Sequence, residues 1–301
     1  MSKIKNSNRL DSEKALAKLI KELESQEFES IDQVNDFIRS MKGKNLDDLP
    51  ESTTDKDRSQ DLVLEAYDKT IPKGKKLIKQ ALELDPDNAD AYNYLARVEM
   101  DVDKALALYR KAIEAGERSL GEKFMEEEKG HFWGLIETRP YMKAKAGLAD
   151  CLYAKNRINA TIEVYREMLE LNPNDNQGVR YLLSTLLLNK KDLSDYELFI
   201  KSYEGDDSAV WYYNNALYHF KKMGQSAKSD KELLKAYKFN KHVVEYMLGL
   251  KEMPLEMPPF IGRGDENEAI SYVLGTLTIW ETTDGAMGWL YEFMLKRGKM
   301  N

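Results

Sequence analysis

Apolar residues recur at helical spacing along almost the whole chain. Ile31, Val34, Phe37, Ile38 and Met41 form one oily stripe, and Ser30 and Gln33 stand ahead of it in capping-box order. This predicts the second of two amphipathic helices that open the sequence. The run from Lys42 to Arg58 carries Gly43, Pro50 and clustered Asp, Ser and Thr without periodicity, and it reads as a linker. From about Asp61 to Tyr237 the stripes come in pairs. Runs of alternating β-branched residues bounded by Asn-Gly or Asp-Gly turns are missing, so the expected fold is all-α. Pro254, Pro258, Pro259, Gly262 and Gly264 make 253–264 an irregular loop. Beyond it Asp265 and Glu268 open a helix carrying Ala269, Ile270, Val273, Leu274, Leu277 and Trp280, and a shorter helix spans 284–295. The expected organisation is a helical pair at 1–42, a linker at 43–60, an array at 61–250 with an insert at about 118–140, and a loop with capping helices at 251–301.

The paired stripes hold a repeat. Between Met142 and Asp175, Leu148, Ala149 and Leu152 fall on a first helix, Tyr165 falls on a second, and Pro173 closes it. That spacing resembles the tetratricopeptide repeat, a helical hairpin of about 34 residues. The small Ala149 lets antiparallel helices approach, large residues fill the groove between them, and proline ends the second helix. Gly74, Ile78, Ala81 and Pro86 keep this register upstream, followed by Tyr92, Leu95 and Ala96. Ala105, Tyr109 and Ala112 come early, which requires a short turn near 101–103. Downstream, Leu182, Leu183 and Leu186 pair with Tyr196 and Phe199. A degenerate unit sets Tyr212, Asn215, Ala216 and Phe220 against Leu233 and Ala236. About four to five such pairs suffice for hairpins that cannot bury their faces alone, and they predict an α-solenoid closed by the C-terminal helices.

Longer blocks carry a more specific likeness. Residues 81–92 (ALELDPDNADAY), 239–248, 263–272 (RGDENEAISY) and 284–290 (DGAMGWL) resemble the suppression-of-tumorigenicity-seven family, over roughly residues 60–292. The blocks 130–142 (GHFWGLIETRPYM) and 171–183 are distinctive of bacterial tetratricopeptide relatives of that family. The resemblance implies a helical-repeat interaction protein without established catalytic residues. Animal members look membrane-anchored near the N-terminus. Here no secretory signal or membrane-spanning stretch is read, because the longest apolar run, 181–188, is about a third of a spanning helix.

Composition narrows the function. The 45 basic and 52 acidic residues give a net charge of −7, the wrong sign for neutralising nucleic-acid phosphates. Cys151 is the single cysteine, which excludes an intrachain disulfide and Cys-pair zinc sites and points to a reducing cytoplasm. His131, His219 and His242 lack metal-ligand spacing, and no phosphate-binding glycine motif occurs, so neither metal nor cofactor is expected.

What remains is a groove lined by first helices, whose residues off the packing stripe meet a protein or peptide partner. By register these are Asn93, Arg97, Lys143, Asp150, Tyr153, Gln177, Arg180, Ser184, Tyr212 and Asn215. Their mixed polar and aromatic character suits recognition of peptide backbone and charged groups. Gly147 and Tyr181 stand where a chaperone-tail carboxylate clamp wants Asn and Arg, so that partner is not expected. The insert supplies His131, Trp133, Glu137 and Arg139, either as a ligand-facing loop or as packing between repeats. The leading expectation is a non-catalytic, cytoplasmic, bacterial-type adaptor. The alternatives are a sensor of small peptides, an enzyme built on the His131, Glu137 and Arg139 insert, and self-association through the Trp280 and Trp289 helices.

Overall fold

In the computed structural model, which describes residues 19, 22, 23, 28, 30–41, 54–257 and 260–298, the regular elements are helices, with no strand among the described residues. The first expected N-terminal helix and most of the linker lie outside those residues. Helix α1 (Ile31–Met41) begins where the Gln33 N–H donates to Ser30 Oγ at 3.3 Å, and Phe37 meets Phe28 edge-on. Helix α2 (Asp55–Tyr67) opens inside the run read as linker, which shortens that linker. Thr54 and Asp57 form a reciprocal capping box there, each backbone N–H donating to the other side chain at 3.1 Å.

The chain divides into two compact units, Met1–Asn176 and Gln177–Asn301, and the division falls within the expected array. In the first unit α2 pairs with α3 (Ile71–Leu84), α4 (Ala89–Arg97) with α5 (Val102–Leu120), and α7 (Arg139–Ala154) with α8 (Ile158–Leu171), each hairpin packing on the next. The tetratricopeptide register rests on close approach. A Cβ on Gly74 would collide with the Tyr94 phenol and the Ala66 carbonyl, and one on Gly147 would overlap the Tyr109 ring. Val63, Ala66, Ile78, Ala81, Ala91 and Tyr94 form the buried centre of the first two hairpins. The short turn sits slightly earlier than expected: α4 ends at Arg97, and Asp101 caps α5 by accepting the Asp103 and Lys104 N–H groups. Helix α5 runs on into the insert, where α6 (Glu122–Glu127) follows.

The second unit contains α9 (Val179–Leu188), α10 (Ser194–Lys201), the hairpin α11 (Ala209–Met223) with α12 (Ala227–Phe239), α13 (His242–Met247), α14 (Glu266–Thr282) and α15 (Ala286–Leu295). Helix α14 packs on α11 and α13, and α15 on α14. Trp289 stacks on Phe220 at 4.6 Å between centroids and on Trp280 at 6.2 Å, and its indole N–H donates to Asp230 at 2.7 Å. Both tryptophans are buried and close the core of this unit, while Leu274, Tyr291 and Leu295 on the same two helices are exposed. Buried Glu268 accepts the Ala209 N–H at 2.9 Å and the Gly264 N–H at 2.7 Å, which ties the entry of α14 to the first turn of α11. The Tyr272 hydroxyl donates to Asn214 at 2.9 Å and accepts the Trp280 N–H at 3.0 Å. The expected irregular loop exposes Leu255, Met257, Phe260 and Ile261.

Candidate partner-binding site

The insert residues divide between packing and solvent. Phe132 is fully buried against Tyr141, with ring centroids 5.9 Å apart. The backbone N–H groups of Gly130 and Phe132 both donate to the Leu171 carbonyl at 3.1 Å, using an acceptor left open at the end of α8. Gly130 holds φ at +102°, a conformation glycine adopts freely. Buried Thr138 donates to the Phe132 and Leu135 carbonyls. Arg139 donates to the Trp133 carbonyl at 3.2 Å and lies over the Trp133 ring at 5.8 Å. His131 and Glu137 are exposed and Trp133 is half-buried. The four candidates therefore do not converge on a closed pocket. Two of them, Trp133 and Arg139, brace each other.

In the first unit two of the residues expected on the groove, Arg97 and Asp150, line a recess of about 270 Å³ between α4, α5 and α7. Its walls are Ala96, Arg97 and Glu99 at the end of α4, Val102, Ala105 and Tyr109 on α5, and Gly147, Asp150, Cys151 and Ala154 on α7. Three alanines and Gly147 leave the hollow open, and Tyr109 lies in the space that Gly147 vacates. The Arg97 guanidinium sits over the Tyr67 ring at 5.7 Å. The Glu99 carboxylate accepts the Met100 and Asp101 N–H groups, which lower its pKa. Asp150 is exposed at the rim, and the helices packed around it raise its pKa by partial desolvation. Burial also raises the Tyr109 phenol and the Cys151 thiol, with the Asp150 charge adding to both. Cys151 is thus held as a thiol and is no activated nucleophile. Tyr153, one turn beyond Asp150 on α7, is 55% exposed.

Other groove candidates serve the fold. Asn93 is buried and donates to Asp90 and, at 2.8 Å, to the Pro140 carbonyl, so it joins α4 to the start of α7 and does not face a partner. Lys143 lies 3.7 Å from Asp90. Ser184 is fully buried and accepts from Asn214 at 3.2 Å, a correction of the same kind. Arg180 pairs with Asp206 at 2.9 Å and stacks over Tyr181 at 4.2 Å and Tyr203 at 5.9 Å. Trp211 packs against Tyr203 and Tyr181. Tyr212 stacks on Phe239 at 4.7 Å, Asn215 donates to Glu232 at 3.1 Å, and Gln177 is half-buried. In the sequence Ala96, Ala105 and Tyr109 read as repeat-register positions, whereas the fold places them on the walls of the recess.

No group of three or more His, Cys, Asp or Glu side chains is placed to hold a metal among the described residues, and no helix there is long and apolar enough to cross a membrane. Residues 77–100, which join α3 to α4, match the tetratricopeptide repeat family. The chain is 26% identical over 262 residues to the human suppressor of tumorigenicity 7 protein-like, covering 79% of this chain and 45% of that protein. The bovine protein of that name is 26% identical over 259 residues, with 78% and 46% covered, and the rat protein 27% over 262 residues, with 79% and 47% covered. The chain spans about half the length of the curated relatives it matches. It is therefore similar to the suppressor of tumorigenicity 7-like proteins over most of its own length, on a framework of tetratricopeptide hairpins.

Proposed function

We propose that this is a cytoplasmic, bacterial-type, non-catalytic repeat protein that holds a protein or peptide partner along the first helices of its hairpins. The observation that carries this reading is the open recess where consecutive hairpins of the first unit meet, with Arg97 and Asp150 on its walls and Tyr153 exposed beside Asp150. Small residues keep the hollow empty, charged and aromatic groups rim it, and an extended segment gains both apolar contact and directional bonds there. The tetratricopeptide match supports a partner-binding scaffold, because such hairpins stack into surfaces used for recognition.

Selection of a random peptide library on the purified chain tests this. Enriched peptides are expected to bind in calorimetry and to lose at least tenfold in affinity when Arg97→Ala and Tyr153→Ala are combined. Enrichment no better than on an unrelated folded protein, or affinity indifferent to the double variant, would count against the groove.

A further inference from the structure

Asp150 differs from every other charged group at the recess. Glu99 is occupied by two backbone N–H donors, and Arg97 is turned over the Tyr67 ring. Among the described residues no hydrogen bond or ion pair engages the Asp150 carboxylate. It is held on α7 beside the Tyr109 phenol, above walls made of Gly147, Ala154 and other small residues. The hollow is shallow and open to solvent, and its volume of about 270 Å³ has room for one side chain laid along its walls.

We infer that the recess receives a single cationic side chain, lysine or arginine, of a bound peptide, with Asp150 as its counter-ion and the Tyr109 ring beside its charged head. The chemistry follows from the walls. The aliphatic stem of a lysine or arginine lies along small apolar side chains while its head reaches an anion. An aromatic ring next to a partly desolvated cation adds attraction. Asp150 is exposed at the rim of the recess, so an arriving cation reaches its carboxylate without displacing another partner, and the helices packed around it raise its pKa. The surplus of acidic over basic residues acts in the same direction at longer range. This inference rests on the groove reading and names the side chain the groove selects.

The test is an NMR titration of the full chain with the blocked tripeptides Ac-Gly-Lys-Gly-NH2 and Ac-Gly-Arg-Gly-NH2, and with the norleucine analogue, which keeps the stem and lacks the charge. Saturable binding of a cationic peptide is expected, at least tenfold weaker for Asp150→Asn, with no saturation by norleucine. Asp150→Asn should fold with an essentially unchanged melting temperature, since Asp150 is exposed, so loss of binding is not loss of fold. Equal binding of norleucine, unchanged affinity in Asp150→Asn, or saturation by neither cationic peptide overturns the inference. Library-selected peptides that bind the wild-type chain and Asp150→Asn alike would overturn the cation site and leave the groove standing. Failed selection with saturable lysine binding would do the reverse.

Discussion

Phe132, Trp133 and Glu137 share one loop and should respond to truncation through different physics. Phe132 has no exposed surface, so Phe132→Ala leaves a cavity and should cost about 3–5 kcal/mol in chemical denaturation. Half-buried Trp133 should cost less, about 1–2 kcal/mol, while exposed Glu137→Ala should stay within about 0.5 kcal/mol. If Glu137→Ala destabilised as much as Phe132→Ala, the division of the insert into plug and rim would be wrong. Gly147→Ala puts a methyl into the space of the Tyr109 ring and should cost about 1–3 kcal/mol by overpacking, read as a lowered melting temperature. The packing residues were legible in the sequence, because Gly74, Ile78 and Ala81 follow a local period. The destinations of polar residues were not. Asn93 finds its acceptor on Pro140, 47 positions away, and Ser184 its donor on Asn214, 30 positions away, and no local spacing encodes such a meeting. Asn93 and Ser184 thus look like groove residues in the register and act as joints in the fold.

Among elements, the α11 N-terminus shows how a helix end is satisfied from afar. The Ser208 hydroxyl accepts the Trp211 N–H, and the Glu268 carboxylate, from α14, accepts that of Ala209. Glu268→Ala leaves the buried Ala209 N–H and the half-buried Gly264 N–H without that acceptor and should cost about 2–3 kcal/mol, given roughly 1.5–3 kcal/mol for a single hydrogen bond to a charged group. The comparison is with Ser208→Ala, a single cap worth about 1 kcal/mol. Helix α2 starts instead on a local device, the box of Thr54 and Asp57, with Asp at the position that Glu or Gln usually takes. Helix α11 also carries a pH response. Burial is the largest cause lowering the pKa of His219, helped by Lys228, Lys222 and Lys235 and opposed by Glu232. The folded chain therefore keeps this imidazole neutral, the unfolded chain binds more protons, and stability should fall as pH drops below the ordinary histidine value of about 6.5. The melting temperature of His219→Phe should fall less than that of wild type between pH 7 and pH 5. Parallel pH curves would refute that role.

Across the whole molecule, the net charge of −7 sets the kinetics of encounter more than the fold. Association with a lysine- or arginine-bearing peptide should slow as sodium chloride rises from 50 to 500 mM, while dissociation changes little, and stopped-flow mixing separates the two. Long-range organisation also has a clasp. The Leu171 carbonyl that receives Gly130 and Phe132 closes residues 130–171 into a ring of chain, with the α7–α8 hairpin inside it. Two amides of an irregular surface segment thereby take part in the opening and closing of a helix end. In deuterium exchange they should stay dark as long as the last turn of α8 does, and a protease probing the charged stretch before Gly130 should find its cut site only when that turn breathes.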